Sequence, residues 1–295
     1  VRLTGGNDIT PEVQSFMTRY KVQGYPTLYV MNTAGHVVVS KVGRSVEQML
    51  QALADGEKSE AEFEALRAKS DAESAAKVRQ MLADRMAWDD LLPLAEAAAA
   101  KDASEANLEE VVNAHRNRGD LAAERTALEK LMSAFPKSDK RGARRVRLAT
   151  MEVEATPVKS REEFAKKMEA GIAKLQELLT QVQGEKDAVA ESDVRLAIGN
   201  AYWSSGKPDD ATPHFEAVIA AKPPARILAQ ALMGRANTAF VKQDLEVALA
   251  HLERIVAECP DTEEAKRAPV GIDRIRKMIE GRKGKEGATP PGPGK

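Results

Sequence analysis

The stretch that decides the architecture is "AIGNAYWSSGKPDDATPHFEAVIAAKP", residues 197–223, because it returns in altered form as "GRANTAFVKQDLEVALAHLERIVAECP" at 234–260. At an offset of 37, Gly199 meets Ala236, Tyr202 meets Ala239 and Gly206 meets Gln243. Farther along, Ala211 meets Ala248, Phe215 meets Leu252 and Pro223 meets Pro260. Small residues recur where two helices would cross, and a large apolar residue recurs where a groove would be filled. Proline recurs where the second helix must stop. A weaker copy lies upstream in "RGDLAAERTALEKLMSAFP", which ends at Pro136 and carries Leu128 in the Phe215 position. Gly119 to Pro136, Gly206 to Pro223 and Gln243 to Pro260 are each 17 positions apart. One such unit cannot bury its apolar face alone, whereas stacked units share a continuous core.

This pattern resembles the tetratricopeptide repeat, best over 193–224 through Ile198, Gly199, Tyr202, Ala211, Phe215 and Pro223. The resemblance implies an all-α array of helical hairpins across 88–280, with a concave surface that receives a peptide or helix of a partner protein. The step of 37 is longer than the family's usual one of about 34, and a generic right-handed array of helical hairpins stands as the alternative. From Lys137 to Glu191 the register breaks, and the pattern there predicts a longer, irregular pair of helices over about 141–155 and 160–182. The tail "GRKGKEGATPPGPGK", 281–295, holds almost nothing to bury and is expected to be disordered.

Composition agrees with stacked helices. The chain has 295 residues, 43% hydrophobic, 30% charged and only 4% aromatic. Its alanine-rich segments favour close helix contacts and high helix propensity. Lys plus Arg number 44 against 45 Asp plus Glu, a formal net charge of -1. That balance gives no global attraction to nucleic acid or an anionic membrane. No run approaches the ~18 apolar residues of a membrane span, and no charged-then-apolar leader follows Val1. Cys259 is the sole cysteine, which excludes an intramolecular disulfide and a cysteine-based zinc site.

The first residues read differently. Thr10-Pro11-Glu12 suits a helix start, and Val13, Phe16, Met17 and Tyr20 then recur at helical spacing. After Gly24-Tyr25-Pro26, the run Thr27 to Met31, the turn Asn32-Thr33-Ala34-Gly35 and Val37-Val38-Val39 predict an antiparallel hairpin. Val46, Met49, Leu50 and Leu53 form the stripe of a further helix. With a strand over Arg2 to Thr4, the order is β-α-β-β-α. The segments "YKVQGYPTLYV", "NTAGHVV" and "KVGRS" make it similar to the C-terminal half of a thioredoxin fold. The fold class expected is therefore α+β over 1–54, a helical connector over 55–87, and the all-α repeat array beyond.

By that resemblance Pro26 is cis, and Tyr25, Pro26 and Thr27 hold an extended segment of a cysteine-containing substrate protein. The alternative is an ordinary turn proline. The Cys-x-x-Cys segment that performs thiol–disulfide exchange in the family has no counterpart here, so truncation is the expectation. As written, the chain offers no catalytic residue, metal ligand set or cofactor site. Two functions follow: a truncated thiol–disulfide oxidoreductase with helical repeats, or a non-catalytic scaffold that binds proteins through those repeats. Resemblance to repeat-bearing thioredoxin-like proteins favours a periplasmic or secreted bacterial setting, with the cytoplasm left open.

Other candidates have plainer readings. Cys259 lies on an apolar stripe and reads as a packing residue. His36, His115, His214 and His251 are scattered, without metal-ligand spacing. "KSDKRGARRVR", 137–147, could meet an acidic partner or phosphate, but reads first as a solvated face. Trp203 is expected to pack rather than to serve as a ligand platform. Gly5-Gly6 is too short for a phosphate loop.

Overall fold

The computed structural model describes residues 17, 19–20, 22, 27–40, 42–158 and 160–286, side chains of 283–286 excepted. Its described elements are a hairpin, β1 (Val30–Met31) and β2 (Val37–Val39), and twelve helices. These are α1 (Val46–Arg67), α2 (Ala72–Asp84), α3 (Trp88–Lys101), α4 (Glu105–Arg118), α5 (Leu121–Ala134) and α6 (Arg141–Ala155). They continue with α7 (Arg161–Gly184), α8 (Ala188–Ser204), α9 (Pro208–Ala221), α10 (Ala225–Val241), α11 (Leu245–Glu258) and α12 (Glu263–Glu286). Two units divide at 134/135, the first holding the hairpin and α1–α5, the second α6–α12.

The second unit shows why the 37-residue step exists. Phe215 on α9 is fully buried, and a Cβ on Gly199 of α8 would lie 2.7 Å from its ring. A Cβ on Gly234 of α10 would lie 2.6 Å from the same ring. The ring is therefore held between two helices that can approach only because both carry glycine there. One step later Leu252 takes the place of Phe215, sharing a core cluster with Ala236, while a Cβ on Gly271 would come within 3.0 Å of it. The smaller side chain goes with the larger neighbour. Ala211 and Ala248, and Val218 and Ile255, are likewise buried in register.

The turns repeat as well. Met86, Gly119, Lys186, Gly206 and Gln243 all have positive φ, between helices that pair as hairpins. In each, the next residue's N–H bonds back across the helix end: Ala87 to Leu82 O (2.9 Å), Asp120 to His115 O (3.1 Å), Asp187 to Val182 O (3.2 Å), Lys207 to Tyr202 O and Asp244 to Ala239 O (both 3.0 Å). This 6→1 bond satisfies a carbonyl that the helix end would otherwise leave unpaired. The residues that open the 17-residue spans in the sequence are thus the left-handed turn positions. Met86 and Lys186 occupy the same geometry without a glycine to announce it.

The irregular pair α6–α7 is fastened to the repeats by polar groups. Asp193 of α8, 5% exposed, accepts the Ala143 N–H at the start of α6 (3.1 Å) and two bonds from Arg226 of α10 (3.2 and 3.3 Å). Burial pushes its carboxyl above the usual range, while Arg226 and the Ala143 N–H pull it back. Gly142 makes the approach possible, since a Cβ there would sit 2.6 Å from Asp193 Oδ2. The basic run is also consumed internally: Arg141 pairs with Asp187, Arg145 with Glu185 and Arg147 with Glu154. Arg141 and Arg145 hold their partners' carboxyls below the ordinary values.

The N-terminal expectation is corrected in part. The strand at Arg2 to Thr4, the start of the helix from Thr10 and the corner with Tyr25 and Pro26 lie outside the described residues, while Met17 and Arg19, in the second half of that expected helix, are helical. Among the described residues the sheet is a single antiparallel pair, and a thioredoxin-like part is not shown. The Val37 N–H donates to Arg85 O at 3.0 Å, so the hairpin is joined to the α2–α3 turn. The next helix does not end near Leu53 but runs unbroken to Arg67. Its expected apolar stripe is exposed, Val46 at 73% and Leu50 at 62%. The hairpin meets the neighbouring face instead, where a Cβ on Gly56 would lie 3.3 Å from Val30 Cγ1. Small residues there, Ala52 and Gly56, permit the closer contact.

Two outcomes test this packing. Gly199→Ala should destabilise the second unit by about 1–3 kcal/mol through overpacking, and adding Phe215→Leu should recover part of that loss, since Leu252 with Ala236 is the natural precedent. Urea melts followed by Trp203 fluorescence read both. Lys186→Gly, at an exposed left-handed position, should stabilise by about 1 kcal/mol; no gain would contradict the turn assignment.

Candidate functional site

The residues singled out from the repeat resemblance form architecture. Ile198, Ala211 and Phe215 are fully buried, Gly199 lies against the Phe215 ring, and Pro223 follows the left-handed Lys222 that ends α9. Tyr202 is only half-buried: its ring stacks on His214 at 5.7 Å and its hydroxyl lies 3.5 Å from Gln176 Nε2. Thr27 is half-buried, while Tyr25 and Pro26, its expected companions in substrate binding, lie outside the described residues. Cys259 is fully buried and its thiol is pushed up by burial, the opposite of what a nucleophile needs. Among the described residues no group of three or more His, Cys, Asp and Glu could hold a metal, and no helix is long and apolar enough to cross a membrane.

A face that the sequence reading missed emerges from the register. Asn200 on α8, Asn237 on α10 and Arg274 on α12 are 37 residues apart and exposed. Three residues on, one helical turn along the same side, stand Trp203, Phe240 and Lys277. Trp203 and Phe240 are half-buried; Trp203 packs against the Phe215 cluster, as expected, with part of its ring left open. The Arg274 guanidinium lies over the Phe240 ring at 5.7 Å, so this side of α10 and the same side of α12 are neighbours in space. Among the described residues neither Asn200 nor Asn237 has a hydrogen-bond partner, whereas nearby charges are paired, Arg235 with Glu216 at 2.9 Å and Arg276 with Glu253 at 2.6 Å. A carboxamide offers a donor and an acceptor side by side. The signal was present in the sequence: the same offset that aligns Gly199 with Ala236 aligns Asn200 with Asn237.

Comparison with known proteins gives no matching family model and no matching curated protein. Solved structures with a similar chain path include a thermophilic TPR protein of Thermus thermophilus, at 14% identity and TM-score 0.42, covering 69% of this chain and 97% of that one. Another is the C-terminal part of a TPR repeat-containing protein of Cytophaga hutchinsonii, at 15% identity and TM-score 0.29, covering 72% of this chain and 93% of that one. The helical-repeat assignment rests on the packing around Phe215 and not on these likenesses.

Burial ranks the two aromatic positions. Phe215→Ala should cost about 3–5 kcal/mol, as for a fully buried phenylalanine, and Tyr202→Ala clearly less. Equal losses in thermal or urea unfolding would show that Tyr202 anchors the core after all.

Proposed function

We propose that this protein is a helical-repeat scaffold that binds an extended segment of a partner protein across the face carrying Asn200, Trp203, Asn237, Phe240 and Arg274. The supporting observation is the recurrence, at the repeat step, of exposed and unpartnered carboxamides beside half-buried aromatic rings. Groups used only to hold a repeat together are buried or paired here, as Phe215 and Asp193 are. The two amides are neither. Main-chain bonds from the carboxamides would supply register, and the rings would supply apolar contact for side chains. Thiol–disulfide exchange is not part of this reading, because the one thiol of the sequence is enclosed and held protonated.

Random peptides displayed and selected on the full chain provide the test. Selected peptides should bind the wild type, and Asn200→Ala or Asn237→Ala should each weaken them about five- to tenfold, the worth of one hydrogen bond near 1 kcal/mol. Both side chains are exposed, so melting should hardly change. Selection of no binder, or unchanged affinity in the double variant, would defeat the proposal.

A further inference from the structure

The second unit contains two histidines, His214 and His251, and they too are one repeat step apart. His214 lies on α9 and His251 on α11, each one residue before the side chain that fills the groove, Phe215 or Leu252. Each imidazole is half-buried, and in each the Nδ1 atom is enclosed without a hydrogen-bond partner. A neutral ring tolerates this position. A protonated ring must donate from both nitrogens, and the enclosed one finds no acceptor.

The surrounding charges add to that cost. Around His214 the charged groups are Arg195 from α8 and Asp210 from its own helix, with the Tyr202 ring stacked against it. Around His251 they are Arg235 from α10, Arg254 from its own helix and Glu216 from α9. Glu216 is already bonded to Arg235 at 2.9 Å, and Arg254 to Glu258 at 2.6 Å. Each ring therefore faces an arginine on the first helix of its hairpin, and a second cation there is repelled.

We propose that His214 and His251 form an acid-sensitive latch, in which uptake of one proton by each imidazole loosens the hairpins α8–α9 and α10–α11. The two positions act in parallel because the repeat sets each at the same register position, with an enclosed Nδ1 and an arginine on the first helix of its hairpin. This goes beyond the binding role proposed above and holds whatever partner the exposed face takes.

The direction follows from linkage. Burial first, and the neighbouring arginines second, hold both rings below the ordinary histidine value of 6.5. The folded state therefore binds fewer protons than the unfolded state once the pH drops toward 6.5. Stability supplied by the neutral rings is complete above that value and is lost as the pH falls through the folded values. Glu185, Asp187, Glu191 and Glu258 are held below the usual carboxylate range and stay ionised across this window. Asp193 is the exception, being pushed up by burial.

The experiment uses the full chain. Amide hydrogen exchange, corrected for the intrinsic pH dependence, is compared between about pH 7.5 and 5.5 for wild type and His214→Gln/His251→Gln, bracketing the free histidine value. Wild type should open faster over α8–α11 at the lower pH, and the double variant should show the same protection at both. Equal acceleration in the two proteins would assign the effect to another group, Asp193 foremost, and overturn the latch. No acceleration in wild type would overturn it as well. Imidazole proton resonances of the wild type give a reading that needs no variant: both rings should titrate below 6.5, and midpoints at or above that value sink the proposal.

Discussion

The ring of Phe215 lies between two helices that carry glycine at the point of contact, and the packing of the second unit follows from that placement. A side chain at Gly199 or Gly234 would come within 2.7 Å of the ring, so the helices could not stay where they are. Protein interiors pack densely enough that such a clash must move backbone. The repeat solves the same problem twice with different volumes, a phenylalanine between glycines and then a leucine beside Ala236 and Gly271. That exchange explains how the step of 37 persists while the residues at its landmarks change.

Polar groups do a separate job. Asp193 ties the start of α6 to α8 and α10, and the arginines after Lys140 pair with acids on or beside α6 and α7–α8. A buried carboxylate with a backbone N–H and a guanidinium in reach is costly to disturb. It therefore fixes where the irregular helix pair attaches, which apolar packing alone would leave less defined. These pairs also occupy Arg141, Arg145 and Arg147 of the basic run within the fold. Beside those paired charges the exposed amides of Asn200 and Asn237 stand out.

The N-terminal region shows how a local pattern can be right about an element and wrong about its setting. The hairpin forms where turn chemistry at Asn32 to Gly35 places it, with Asn32 Oδ1 accepting from the Ala34 and His36 N–H groups. The helix after it starts at a capping box built by Ser45 and Gln48. Its apolar stripe suggested a buried face, yet the contact with the hairpin falls on Ala52 and Gly56. Period alone names a face. It does not say which neighbour is near enough to use it.

Much of the helical array was legible. The spacing of Gly206, Phe215 and Pro223 marked a turn, a filled groove and a helix end, and the pattern after Lys137 marked two longer helices. Those features are local or periodic, so one chain of letters carries them. Gly234 escaped notice because its reason is a ring nineteen positions earlier, in a different helix. Asn200, Asn237 and Arg274 share a repeat position in the sequence, but only the folded chain shows that the two amides lack partners and that Arg274 reaches Phe240. The burial of Asp193 and the enclosed nitrogens of His214 and His251 are likewise properties of tertiary packing. Sequence determined most of the helical segments and the turns at Gly119, Gly206 and Gln243, while α12 runs past the Gly281 where disorder was expected to begin. The fold decided which polar groups remain free, because that depends on neighbours distant along the chain.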